Sequence, residues 1–182
     1  MDTRQVAQPR PWLAVGQEIA DVLGRVDAEA FDRVVGAFAS RDRRWFFFGH
    51  GLSGLAAQMA AMRFMHLGRT VHYVGEVTAP SVRAGDGLLV VSGSGETPTS
   101  VGFARIARSE GAQVVALTSR PNSTLATIAD VVLLVPVERT GQLGSSLFEQ
   151  SCLILLSGLV LHFARQMPDA DALMRHRHTN LR

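Results

Sequence analysis

Gly87-Leu88-Leu89-Val90-Val91-Ser92-Gly93-Ser94-Gly95-Glu96-Thr97-Pro98 holds a strand, a turn and a helix start in one short run. The five residues before Ser92 carry no polar side chain, which suits a strand covered on both faces. Gly93 and Gly95 let the backbone turn tightly and approach a ligand closely. Ser92, Ser94 and Thr97 offer hydroxyls, and Pro98 is tolerated in a first helical turn. The free N–H groups of that helix start would face the same point. A strand, a Ser/Thr/Gly turn and a helix in this order form a cradle for an anion such as phosphate.

The pattern repeats on either side. Short apolar runs at 45–48, 71–74, 114–117 and 131–135 read as further strands, and helical spacing covers about 53–67, 99–110 and 147–166. Two amphipathic stretches, 12–26 and 28–39, come before them. Apolar strands alternating with helices predict an α/β fold, a three-layer α/β/α sandwich with a five-stranded parallel sheet. One domain over 1–182 is expected, with N-terminal helices at about 12–40 and a C-terminal helix and tail at about 147–182. A second strand-to-turn junction, Phe48-Gly49-His50-Gly51-Leu52-Ser53, echoes the first. Ligands of open α/β sheets gather outside the carboxyl ends of the strands, so Gly49, His50, Gly51 and Ser53 join the candidate binding residues.

Composition removes several functions. Apolar residues make up 47% of the 182, enough for a core, and all 18 basic residues are arginine. Without lysine there is neither a Schiff-base lysine nor the lysine of a Walker phosphate loop. The pI of 9.4 goes with a formal charge of only +2. The arginines are scattered except in Arg41-Asp42-Arg43-Arg44, read here as a solvated loop, so no nucleic-acid partner is expected. No apolar run of membrane length is free of polar breaks, and residues 1–11 lack an apolar leader core. A cytoplasmic protein with no membrane partner is expected. Cys152 lies in an apolar helical run and reads as a small core residue.

Gly49, Gly51 and Gly54 match G-x-G-x-x-G, but the nearest acidic partner, Glu76, comes late and the Ser92–Thr97 turn would have no role. The dinucleotide reading is the weaker one. His176 and His178 do not share a helix face, and neither carboxylate nor cysteine accompanies them, so no metal is expected. Met59, Met62, Met65 and His66 look like packing residues, Arg63 like a partner for a carboxylate, and Glu96 like a structural cap of its loop.

Together these residues resemble the sugar isomerase (SIS) domain family, and within it the 6-phospho-3-hexuloisomerase branch, over about 48–181. The likeness rests on Ser92–Thr97, Ala61-Met62-Arg63-Phe64-Met65-His66-Leu67-Gly68, Val74-Gly75-Glu76, Ala116-Leu117-Thr118 and Pro121-Asn122-Ser123-Thr124. It continues in Gly144-Ser145-Ser146-Leu147-Phe148-Glu149-Gln150 and His178-Thr179-Asn180-Leu181. The resemblance implies a SIS-type, flavodoxin-like topology and a metal- and cofactor-independent isomerase. It would interconvert 3-hexulose 6-phosphate and fructose 6-phosphate through an enediolate. It also implies a cytoplasmic homo-oligomer, a tetramer or dimer of dimers, with sites between subunits. By the same resemblance Glu149 is the general base, and His178 an acid/base or ring-opening group, in a neighbouring subunit's site. A first-turn carboxylate of a helix can otherwise simply complement the dipole.

The chain departs from the family where Leu52 replaces a usual arginine, in a short 136–144 connection, and in the terminal Arg182. Two alternatives therefore stand beside the hexulose reading: a non-catalytic phosphosugar-binding module, and an isomerase of a different phosphosugar.

Overall fold

The computed structural model describes residues 10–181; what was read from residues 1–9 and Arg182 lies outside the described residues. In chain order the elements are α1 (Pro11–Leu23), α2 (Ala28–Ala37), β1 (Trp45–Gly49), α3 (Leu52–His66), β2 (Val71–Tyr73) and β3 (Gly87–Val91). There follow α4 (Pro98–Ser109), β4 (Gln113–Thr118), α5 (Thr124–Ile128), β5 (Val131–Leu134), α6 (Ser146–Ala164) and α7 (Ala170–Arg177).

All strands are parallel, in the order β2-β1-β3-β4-β5, the expected flavodoxin-like arrangement. Successive side chains of a strand point to opposite faces. Trp45, Phe47, Leu89, Val91, Val115 and Leu117 thus pack with α1, α2, α3 and α6. Phe46, Phe48, Leu88, Val90, Val114 and Ala116 pack with α4 and α5. The two cores make the three-layer sandwich. Gly49 pairs with Val91 and Val91 with Leu117, so β1, β3 and β4 end level and their turns stand side by side.

Two helices escaped the sequence reading. α5 spans only five residues, too short for helical periodicity to register, and is started by Ser123, whose Oγ accepts from Ala126 N at 3.2 Å. α7 lies in what read as a basic tail.

The packing corrects other readings. Arg41 and Asp42 are exposed, but Arg43 and Arg44 are half-buried: Arg44 pairs with Asp86 at 2.6 Å and lies over Phe46, while Arg43 bonds Gln113 and lies over Trp45. These guanidiniums stack on aromatic faces at the amino edge of the sheet. Met59 and Met62 are half exposed rather than packed, in line with Leu52 and Leu55 on the same outer face of α3. Cys152 is fully buried, and burial first, then the nearby Glu149 charge, pushes its thiol well above the usual range. Among the described residues α6 alone is long and apolar enough to cross a membrane; its face from Leu147 through Phe163 fills the core instead.

Candidate active site

The turn after β3 closes on itself through Gly95 N, which donates to Ser92 O at 3.1 Å, and Glu96 N, which donates to Ser94 Oγ at 3.2 Å, while its glycine carbonyls are held from outside. Gly93 O accepts from Ser119 N at 3.1 Å, Ser119 Oγ at 2.8 Å and Thr118 Oγ1 at 3.2 Å. Gly95 O accepts from Leu125 N at 3.0 Å. Among the described residues, the amides of Gly93, Ser94 and Thr97 donate to no protein group. Thr97 occupies the N-cap of α4 without capping it; its Oγ1 stands 3.4 Å from Ser92 Oγ instead. Gly95 is obligatory here: its φ is +66°, and a Cβ would lie 2.2 Å from Ser123 Oγ. Free amides and hydroxyls converging on one point are what an anion needs.

The turn after β1 is built by close approach. A Cβ on Gly54 would lie 2.6 Å from Gly49 O, and one on Gly49 2.6 Å from the Ser53 backbone, so the first turn of α3 folds directly onto the strand end. Tyr73 Oη donates to Gly49 O at 2.8 Å and locks this junction. Ser53 is thereby fixed opposite the start of α6. Its Oγ donates to Glu149 Oε1 at 3.1 Å, and Ser145 Oγ donates to the same oxygen at 2.7 Å. Glu149 Oε2 is buried and has no partner among the described residues. A buried acceptor left without a donor costs about 1–3 kcal/mol, which marks this carboxylate as placed for more than packing.

The two turns open into one cavity of about 310 Å³, lined by His50, Ser53, Val91, Ser92, Gly93, Ser94, Thr97, Ser145 and Glu149. Glu149, His50, Ser53, Ser92, Ser94 and Thr97 are thus brought together, with Gly49, Gly51 and Gly95 shaping the turns. Ser53 was expected among the phosphate anchors, whereas its hydroxyl proton points at Glu149. Ser145 was missed; its signal was the four-residue spacing to Glu149, which puts both on one helix face. Glu96 lies at the cavity's flank and accepts from Thr124 N at 2.7 Å, which holds its carboxyl below the ordinary range.

His178 does not join them. Its ring stacks on His66, at 5.5 Å between centroids, at the far end of α3. A helix of that length spans ~20 Å, so within one chain His178 and Glu149 sit at opposite edges of the sheet. Burial, then the neighbouring His178 and Arg63, lowers the His66 pKa. Arg63, expected beside a carboxylate, faces Met174 Sδ at 3.6 Å. Glu76 lines a separate, mostly apolar cavity of about 300 Å³ with Phe46, Leu88 and Phe103. No group of three or more His, Cys, Asp or Glu among the described residues is placed to hold a metal ion.

Comparison with known proteins places this geometry in a family. The SIS domain model matches residues 38–161. The 3-hexulose-6-phosphate isomerase of Mycobacterium gastri is 43% identical over 144 residues, 75% of this chain and 72% of that protein. That of Bacillus subtilis is 36% identical over 143 residues, 73% of this chain and 77% of its own length. A solved structure from Methanococcus jannaschii, from which a molecular function of 3-hexulose-6-phosphate isomerase was inferred, superposes with a TM-score of 0.85. That pair shares 26% identity, over 94% of this chain and 99% of the other.

Proposed function

The chain belongs to the SIS domain family, its relatives support a sugar-phosphate isomerase, and on that premise we propose that it interconverts 3-hexulose 6-phosphate and fructose 6-phosphate through an enediolate. One observation carries this reading: a carboxylate held by two hydroxyls shares a cavity with a turn of free amides and hydroxyls. The phosphate sits at Ser92, Ser94 and Thr97, and the reacting carbons lie toward Glu149.

Ser53 and Ser145 fix Oε1, leaving Oε2 to take the proton from C2 of the 3-ketose. The C–H electron pair becomes the C2=C3 double bond, and the C3 carbonyl oxygen takes the negative charge. Return of the proton to C3, with the O2 hydroxyl proton transferred to O3 directly or through a water that gives O3 a proton as it takes the one from O2, leaves the C2 ketone and the C3 hydroxyl. The hydroxyl donors orient the base for both transfers. This sequence needs no metal and no redox cofactor.

A second copy of the chain belongs to this proposal. Leu52, Leu55, Met59 and Met62 form an exposed stripe at alternating three- and four-residue spacing along α3, a seam suited to another helix. A homo-oligomer would also be the route by which His178 reaches a neighbouring site as acid/base. The test is direct: purified protein with 3-hexulose 6-phosphate and chelator, following fructose 6-phosphate. Turnover is expected. Tight phosphosugar binding without turnover would favour the binding-module alternative, which the exposed, uncharged Leu52 beside Ser53 in sequence keeps in play.

A further inference from the structure

The cavity described above is short of positive charge. It holds the Glu149 carboxylate, hydroxyls, amides and His50, and the position beside Ser53 is an exposed leucine. A sugar phosphate brings up to two further negative charges. Hydroxyls and amides alone solvate a dianion less well than a partner of full opposite charge.

A second cavity adjoins the first through Ser94. It is lined by Ser94, Glu96, Arg120, Pro121, Asn122 and Ser123. Arg120 is the one lysine-or-arginine cation lining either cavity among the described residues. Its position relative to the phosphate turn is set by the backbone. Thr118 and Ser119, just before it, bond Gly93 O, and Arg120 N donates to Thr118 Oγ1 at 3.2 Å. Pro121 then disfavours the helical region for Arg120.

The guanidinium is also unclaimed. Arg25, Arg44, Arg83 and Arg108 each pair with a carboxylate, whereas Arg120 makes no side-chain hydrogen bond or ion pair among the described residues. Glu96 shares its cavity but is engaged by Thr124 N.

We propose that Arg120 is the phosphate-recognising cation of this site, reaching past Ser94 to the phosphate oxygens held at Ser92, Ser94 and Thr97. The proposal rests on the phosphosugar reading above and adds a specificity residue from the β4–α5 loop. A planar guanidinium can bond two phosphate oxygens at once, which an ammonium does not do with the same geometry.

The test compares wild type with Arg120→Gln and Arg120→Lys in the isomerase assay, with inorganic phosphate as a competing probe. Arg120→Gln should raise KM about tenfold, the low end for a charge-assisted bond because Arg120 is exposed. The inhibition constant for phosphate should rise in proportion, kcat should stay within about twofold, and Arg120→Lys should recover part of the loss. The rise of KM with salt should be shallower in Arg120→Gln than in wild type. Unchanged KM and phosphate inhibition in an active Arg120→Gln enzyme overturn this inference alone and leave the isomerase standing. A fall in kcat at constant KM also overturns it. Wild type that neither turns over nor binds fructose 6-phosphate overturns both.

Discussion

Two turns of similar composition stand side by side at the carboxyl edge of the sheet, and their hydroxyls face different tasks. After β3, the Ser92 and Thr97 hydroxyls lie 3.4 Å apart on the cavity wall, bound to no other side chain, beside the free amides of Gly93, Ser94 and Thr97. After β1, Ser53 donates a hydrogen bond to a carboxylate 96 residues further along the chain. One turn offers donors to an anion; the other supports a carboxylate. The difference does not arise within either turn. It comes from α6, which brings Ser145 and Glu149 against β1's turn and only the Phe148 ring against Gly93. What packs across from a Ser/Gly turn thus decides which groups its hydroxyls meet.

Substitutions on each side should separate the two tasks. The largest effect is expected from Glu149→Gln, which keeps the side-chain shape and an acceptor for Ser53 and Ser145 but removes the base. Turnover should fall by about 10²–10⁴-fold. Affinity for fructose 6-phosphate, measured by calorimetry, should change only a few-fold, with the circular dichroism spectrum unchanged. Substantial remaining turnover would remove Glu149 from the base role. Thr97→Val should do the opposite: KM up by about tenfold with kcat largely kept, from loss of one hydroxyl donor to a charged group. A drop in kcat instead would mean the turns do not divide the work.

That division explains which parts were legible in the sequence. The β3 turn could be read because its whole mechanism, free amides and hydroxyls before a helix, lies within Ser92–Pro98. The sandwich could be read because β1, β3 and the Val114–Leu117 run of β4 are buried on both faces and hence carry no polar side chain. Arg120 could not be placed in the site, because it reaches it through strand register and loop anchoring, whereas Ser145 is tied to the site by its four-residue spacing to Glu149. The Ser53–Glu149 hydrogen bond has no local signal either, since 96 residues separate the pair. The exposure of Met59 and Met62 was hidden because a helix carrying apolar residues on several faces does not announce which face is left open. His178 was read from family likeness alone, and its stacking on His66 at the other edge of the sheet has no counterpart in local pattern.

The smallest expected effect concerns the clamp on each side. Glu96 holds the cradle to α5 through Thr124 N at 2.7 Å. Glu18 on α1 holds the connection leading to Ser145, accepting from Gly141 N at 2.9 Å, Gln142 Nε2 at 2.9 Å and Thr140 Oγ1 at 2.8 Å. Both carboxyls lie below their ordinary range, Glu96 through the Thr124 amide, and Glu18 through the Gly141 amide first and the two side chains next. A carboxyl lowered by folding takes up a proton more readily in the unfolded chain, so each clamp acts in full above about pH 4.3 and is lost as pH falls through the folded value. Both groups face water, so the loss should loosen loops rather than unfold the sheet. The amide proton shifts of Thr124 and Gly141, followed by NMR during acid titration, should each move in a local step. Glu96→Gln should abolish only the Thr124 step and raise KM slightly. Glu18→Gln should abolish only the Gly141 step and lower kcat slightly, because Ser145 then holds Glu149 less firmly. If either variant removes both steps, the clamps are coupled through the sheet and the two turns are not independent elements.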